Sequence, residues 1–117
     1  MKTLIVSLAL CLINTFAVAQ PGIDVPNFAD PAVKTFYETY SAHLLKCVKA
    51  IREKKESEAV ALFKDPGEQL VAKEKVIAKS LVKNPVEKQK YIQYARQAYP
   101  YLKEVEGSVY YQKIYGH

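Results

Sequence analysis

His43 and Cys47 are the residues of this sequence whose types and spacing come closest to a reactive site. In a helix, a separation of four places their side chains on adjacent turns. An imidazole and a thiolate in that arrangement can bind a metal, or act as base and nucleophile. Two donors do not complete a metal site, so Glu74 or His117 would have to supply a third. Metal or small-ligand carriage by His43, Cys47 and Glu74 is therefore our alternative functional prediction, beside a purely structural histidine and cysteine.

Glu74 is out of place in its own helical pattern. The segment from Glu68 to Lys83 has one apolar arc, and Glu74 falls near its middle; the arc contains Leu70, Val71, Ile77, Ala78, Leu81 and Val82. A carboxylate that faces a core is costly unless it is hydrogen-bonded or paired. We predict that Glu74 accepts a hydrogen bond from a tyrosine hydroxyl or a lysine. The functional alternative is a ligand or metal carboxylate inside the fold.

Seven of the nine tyrosines lie between Tyr91 and the end of the sequence. At about 100° per residue, Tyr91 and Tyr99 fall within an apolar arc of roughly 140°, and we expect both in the core. Tyr94 and Tyr101 fall at the rim of that arc, where a ring can pack and leave its hydroxyl in water. The sequence thus predicts an aromatic binding surface formed by Tyr94, Tyr101, Tyr110, Tyr111 and Tyr115. In the alternative, the tail folds back and these rings close one end of the fold.

Helix punctuation sets the elements that must position these residues. Asp30–Pro31 predicts an N-cap and a first helical residue, and Asn84–Pro85 repeats this signature. An apolar stripe along the first helix places Cys47 in the core; it consists of Val33, Tyr37, Tyr40, Leu44, Cys47 and Ile51. The last helix keeps its apolar register across Pro100, which predicts one kinked helix ending at Gly107.

The helical pattern in the middle of the chain is interrupted. We predict a short helix from Ser57 to Lys64 and a longer one to Lys83, with Asp65 as the cap of the second. Gln20 to Ala29 reads as an extended lead-in. The whole pattern predicts an all-α, antiparallel bundle of three main helices over residues 30–107, one interrupted near 65–67, followed by a tail over residues 108–117.

Residues 1–19 follow the secretory pattern. Lys2 precedes the uncharged apolar run from Leu4 to Ile13, and Ala17-Val18-Ala19 is a small-residue cleavage site. The run is shorter than the ~20 residues that span a bilayer. We expect cleavage after Ala19, secretion or release to the periplasm, and no transmembrane segment afterwards. Cys47 is then the one remaining cysteine, so we expect it to be buried unless it pairs with a second copy in a homodimer.

Composition argues against several classes of function. Of 17 basic and 12 acidic residues, only Arg52 and Arg96 are arginines, and the lysines alternate with glutamates along helices. This is typical of a solvated surface rather than a nucleic-acid interface. No catalytic motif, phosphate loop or C-x-x-C-H haem attachment is present, so we expect neither enzyme activity nor a cofactor. The sequence predicts a binding protein whose partner is a protein or envelope component.

Overall fold

The computed structural model describes residues 22–116. The predicted signal peptide and His117 lie outside them. Within this range the chain forms five helices and no strand: α1 Pro31–Arg52, α2 Glu56–Lys64, α3 Gly67–Leu81, α4 Pro85–Glu106 and α5 Val109–Tyr115. The predicted all-α fold is confirmed. None of these helices is long and apolar enough to cross a membrane.

The predicted caps of the two long helices are present. Asp30 Oδ1 accepts a hydrogen bond from the backbone N–H of Ala32 at 2.9 Å. Asn84 Oδ1 accepts from the N–H groups of Val86 and Glu87 at 2.9 and 3.1 Å. Each cap satisfies N–H groups that the first turn leaves without a helical partner. A proline follows each cap, where its missing N–H costs nothing.

The predicted cap between α2 and α3 is wrong. Asp65 ends α2 in an extended conformation, and α3 begins after Pro66 without a side-chain cap. Asp65 instead caps the end of α2, because its N–H donates to the carbonyl of Ala61 at 3.0 Å, and the two helices then approach closely at Gly67. A Cβ atom there would lie 2.6 Å from the carbonyl oxygen of Leu62 and 3.3 Å from Nε2 of His43. Only glycine permits that approach, and it sets the start of α3 beside α1.

Helix α1 is the centre of the fold because it contacts α2, α3 and α4. Tyr37, Leu44 and Cys47 from the predicted stripe are buried, and the remaining stripe residues are half-buried. Packing on several sides also buries residues outside one stripe, which are Phe36, Ser41, Val48 and Ala50. A single-face pattern therefore underestimated the buried part of this helix.

Helix α4 runs without interruption through Pro100, as predicted. Its buried stripe is rotated by roughly 60° from the predicted arc. Tyr94 is 2% exposed, so its predicted rim position is wrong; Tyr99 is 58% exposed, so its predicted core position is wrong too. Tyr94 faces α1, where its hydroxyl lies 2.7 Å from that of Ser41 and its ring centroid 4.6 Å from that of Tyr37.

Residues 22–30 of the predicted lead-in form neither helix nor strand, and this segment lies along α4. Gln97 makes two hydrogen bonds of 2.8 Å with the backbone of Asp24, donating from Nε2 and accepting at Oε1. Tyr101 Oη accepts from the N–H of Gly22 at 3.2 Å. Lys90 Nζ donates to the carbonyl of Asn27 at 3.0 Å. Side chains of α4 thus satisfy backbone groups that an isolated extended segment would leave to water.

The predicted tail is a short helix that folds back onto the other helices. Ser108 caps α5 by accepting from the N–H of Tyr111 at 3.2 Å. The Tyr111 ring meets Phe63 of α2 edge to face, with centroids 5.4 Å apart. Tyr115 Oη donates to Glu68 of α3 at 2.6 Å. Helix α5 therefore forms one wall of the space between α2 and α3.

Candidate functional site

A cavity of about 310 Å³ lies where the five helices meet. Every helix contributes to its walls, and most of the lining side chains are apolar. The lining residues are Tyr40, His43, Leu44, Cys47, Phe63, Gly67, Glu68, Leu70, Val71, Ala72, Lys75, Leu102, Val105, Glu106, Tyr111 and Tyr115. Ligand cavities in proteins have this size and this mixture of apolar walls with few polar groups.

His43 and Cys47 are the polar pair on the α1 wall of this cavity. His43 Nε2 lies 3.5 Å from Cys47 Sγ, which is the contact expected from their spacing in the helix. Burial raises the pKa of the Cys47 thiol to about 11, and it is 3% exposed. Burial, followed by the charge of nearby Lys46, lowers the pKa of His43. Both side chains are therefore uncharged near neutral pH, and Cys47 is a weak nucleophile.

Glu74 belongs to a different place in the fold. The hydroxyl of Tyr37 donates to Glu74 Oε2 at 3.1 Å, so the predicted tyrosine partner is confirmed. Burial, followed by the Glu74 charge, raises the pKa values of Tyr37 and Tyr91. Glu74 does not line the cavity of His43 and Cys47. The structure thus brings two of the three predicted metal donors together and leaves the third with the tyrosines.

Among residues 22–116, no group of three or more histidine, cysteine, aspartate or glutamate side chains is placed to hold a metal ion. The remaining candidate from the sequence, His117, lies outside the described range. A protein metal site with two donors would need exogenous ligands to complete a tetrahedral shell.

The five tyrosines of the predicted binding surface do not form one surface. Tyr94 is buried against α1, and Tyr101 binds the lead-in. Tyr110 is half-buried against the core. Tyr111 and Tyr115 line the same cavity as His43 and Cys47. Two residues of the predicted metal or ligand site and two residues of the predicted aromatic surface therefore line the same cavity.

The mouth of the cavity is charged, although its interior is not. Glu68, Lys75 and Glu106 line it from exposed positions on α3 and α4. The hydrogen bond from Tyr115 to Glu68 ties the end of α5 to this rim. Burial, with that hydrogen bond second, raises the pKa of Tyr115 to about 12. The Tyr115 hydroxyl therefore remains a donor to Glu68 at neutral pH.

Sequence reasoning missed most of the apolar walls. Phe63, Leu70 and Leu102 are ordinary core-type residues on separate helices, and no local spacing relates them. Only the close approach at Gly67 places α3 beside His43, and only the fold-back of α5 adds the two tyrosines. The one available signal was the single glycine after Asp65-Pro66, which indicated a helix break and not a cavity wall.

Comparison with protein-family models, with curated proteins and with solved structures finds no match to this chain.

Proposed function

We propose that this protein is an exported binding protein that takes a small apolar molecule into the cavity between its five helices. The observation that carries this proposal is the meeting of Tyr111 and Tyr115 with His43 and Cys47 around about 310 Å³ of mostly apolar space. Most of the side chains that line this space are apolar, and filling it with an apolar ligand would remove their surface from water.

The proposal unites the two functions predicted from sequence. The aromatic residues Tyr111 and Tyr115 of the predicted C-terminal surface take part in the proposed binding, but they do so as walls of the cavity and not as an open surface. His43 and Cys47 of the predicted small-ligand site also take part, as an uncharged polar pair in the wall of the cavity. Export is proposed from the secretory pattern of residues 1–19 and places the ligand outside the cytoplasm.

Export is tested by N-terminal sequencing of the protein recovered outside the cytoplasm. We expect the recovered chain to begin at Gln20, because the cleavage pattern ends at Ala19. The substitution Ala19→Arg removes the small residue at that site and should leave the precursor uncut. Recovery of the wild-type chain only inside the cell, still beginning at Met1, would contradict export.

Binding is tested by titrating the protein with two small neutral probes, 4-methylphenol and heptan-1-ol, and recording backbone amide NMR shifts. We expect saturable shifts concentrated at cavity residues such as Gly67, Leu102 and Tyr111. The variant Ala72→Trp adds bulk at an exposed lining position and should abolish the response. The matched control Ala61→Trp adds the same bulk at an exposed α2 position away from the cavity and should leave the response intact.

If neither probe shifts the cavity amides, the proposed binding in this cavity is contradicted. The same holds if the shifts persist unchanged in Ala72→Trp while the melting temperatures of both variants match the wild type.

A further inference from the structure

Four aromatic rings surround the cavity from three different helices. Tyr40 comes from α1, Phe63 from α2, and Tyr111 and Tyr115 from α5. Phe63 and Tyr111 lie edge to face, at an interplanar angle of 73°. Tyr111 and Tyr115 are tilted at 44°, with centroids 4.7 Å apart. Aromatic rings favour such tilted and edge-to-face contacts, and a ligand ring in this space could join them.

The described residues inside the cavity offer no charge to a ligand. Burial lowers the pKa of His43 and raises the pKa of Cys47 to about 11. Near neutral pH the imidazole is therefore neutral and the thiol is protonated. The charged lining groups Glu68, Lys75 and Glu106 are exposed at the rim. A charged group carried inward would lose its hydration without a buried partner of opposite charge. The cavity therefore favours a neutral molecule.

One polar atom of the cavity has a weak partner. His43 Nε2 contacts the Cys47 sulfur at 3.5 Å, and a thiol is a weak hydrogen-bonding group. By contrast, the Tyr115 hydroxyl already donates to the Glu68 carboxylate at 2.6 Å. A ligand hydroxyl can replace the thiol at Nε2 in either tautomer of the imidazole, since a hydroxyl both donates and accepts.

The volume limits the size of the ligand. An apolar protein cavity of roughly 150 Å³ is large enough to bind benzene. The space of about 310 Å³ between these helices thus has room for one substituted ring or two fused rings. A long aliphatic chain would make no ring–ring contact with the four aromatic side chains that line this space.

We propose that the ligand is a neutral aromatic alcohol or phenol of one or two rings, whose hydroxyl group hydrogen-bonds to Nε2 of His43. This identification rests on the proposed function, because it assumes that the cavity is the binding site. It adds two requirements, an aromatic ring against the four wall rings and a hydroxyl at His43.

Three probes with equal numbers of non-hydrogen atoms test the two requirements separately. They are 4-methylphenol, 1,4-dimethylbenzene, which lacks the hydroxyl, and heptan-1-ol, which lacks the ring. Dissociation constants are measured by amide NMR titration of the full protein. We expect 4-methylphenol to bind about threefold to tenfold more tightly than either of the other two, which is the size of one ring contact or one neutral hydrogen bond.

The variant His43→Phe tests whether His43 causes the preference for a ligand with a hydroxyl group. It keeps a ring at this position and removes the nitrogen, so we expect it to lose the preference for 4-methylphenol over 1,4-dimethylbenzene, because the hydroxyl would then be left without a partner. The control Ala61→Trp should retain the wild-type preference. If His43→Phe is too unstable to measure, displacement of the His43 imidazole nitrogen resonance in the wild type by 4-methylphenol, and not by 1,4-dimethylbenzene, reports the same contact.

The possible failures are distinguishable. If heptan-1-ol binds in the cavity as tightly as 4-methylphenol, the aromatic identification is overturned while the proposed function stands. If 1,4-dimethylbenzene binds as tightly as 4-methylphenol, the role of His43 is overturned. If no probe binds in the cavity, the proposed function fails together with this inference.

Discussion

At the scale of single residues, the tyrosines show how a hydroxyl decides where an aromatic residue can lie. Tyr94 is buried because its hydroxyl meets that of Ser41, and Tyr37 is buried because its hydroxyl donates to Glu74. Within residues 22–116, no buried side-chain nitrogen or oxygen lacks a hydrogen-bond partner. The polar groups of this core are therefore part of its packing and not an obstacle to it.

Tyr94 and Tyr99 provide a matched pair for measuring this effect on one helix. Replacement of Tyr94 by alanine removes a buried ring and leaves Ser41 without its partner, so we expect a loss of about 3–5 kcal/mol in the free energy of unfolding. Replacement of Tyr99, which is 58% exposed, should change it by less than about 1 kcal/mol. Urea denaturation of both variants gives the comparison. Equal losses would show that the buried stripe of α4 is not where the structure has it.

The positions of these tyrosines could not be read from sequence, although the helix that carries them could. Periodicity gave the extent of α4 and its continuity through Pro100, because both depend on local spacing. Tyrosine is apolar along its ring and polar at its tip, so Tyr94 and Tyr99 look alike in a hydrophobic pattern. Which one faces α1 depends on Ser41 and Tyr37, which lie more than fifty residues away in sequence.

At the scale of elements, the turn between α1 and α2 carries a residue in an unusual conformation. Lys54 has a φ of 60°, in the left-handed region. The N–H of Lys55 donates to the carbonyl of Ala50 at 2.9 Å, and that of Lys54 to the carbonyl of Ile51 at 3.0 Å. These two bonds form the helix ending that normally has glycine at the left-handed position. The α1–α2 connection therefore stores a small amount of backbone strain.

Glycine at this position should relieve the strain. We expect Lys54→Gly to raise the free energy of unfolding by about 0.5–1 kcal/mol, because glycine adopts a positive φ without a Cβ clash. Lys54→Val should lower it, since a β-branched residue is poorly accommodated there. Thermal unfolding of the two variants beside the wild type measures both effects. A lower melting temperature for the glycine variant would contradict the assignment of this turn.

At the scale of the whole molecule, the core is built to exclude charge, and this makes its stability depend on pH. Burial raises the pKa of Cys47 from its ordinary 9.0 to about 11, and that of Tyr94 from 10.0 to about 12. Above the ordinary value, the unfolded chain has lost a proton that the folded chain still retains. The free energy of unfolding then falls as pH rises. Stability from these groups is complete below about pH 9 and is lost progressively up to about pH 12.

We expect urea denaturation to give a free energy of unfolding lower by at least about 2 kcal/mol at about pH 11 than at about pH 8. The variant Cys47→Ser replaces the thiol by a hydroxyl that does not ionise in this range, so its loss over the same interval should be smaller. Equal stability of the wild type at both pH values would show that these groups are hydrated in the folded chain.

Ligand binding in the space between the five helices is the basis of the proposed function. Its most direct test is a set of intermolecular nuclear Overhauser effects between 4-methylphenol and the isotope-labelled protein. We predict contacts from the probe protons to Leu44, Leu102 and Tyr111, which line the cavity from three helices. Contacts confined to exposed apolar residues such as Val76 and Val86, or no contacts at saturating probe, would contradict binding in this space.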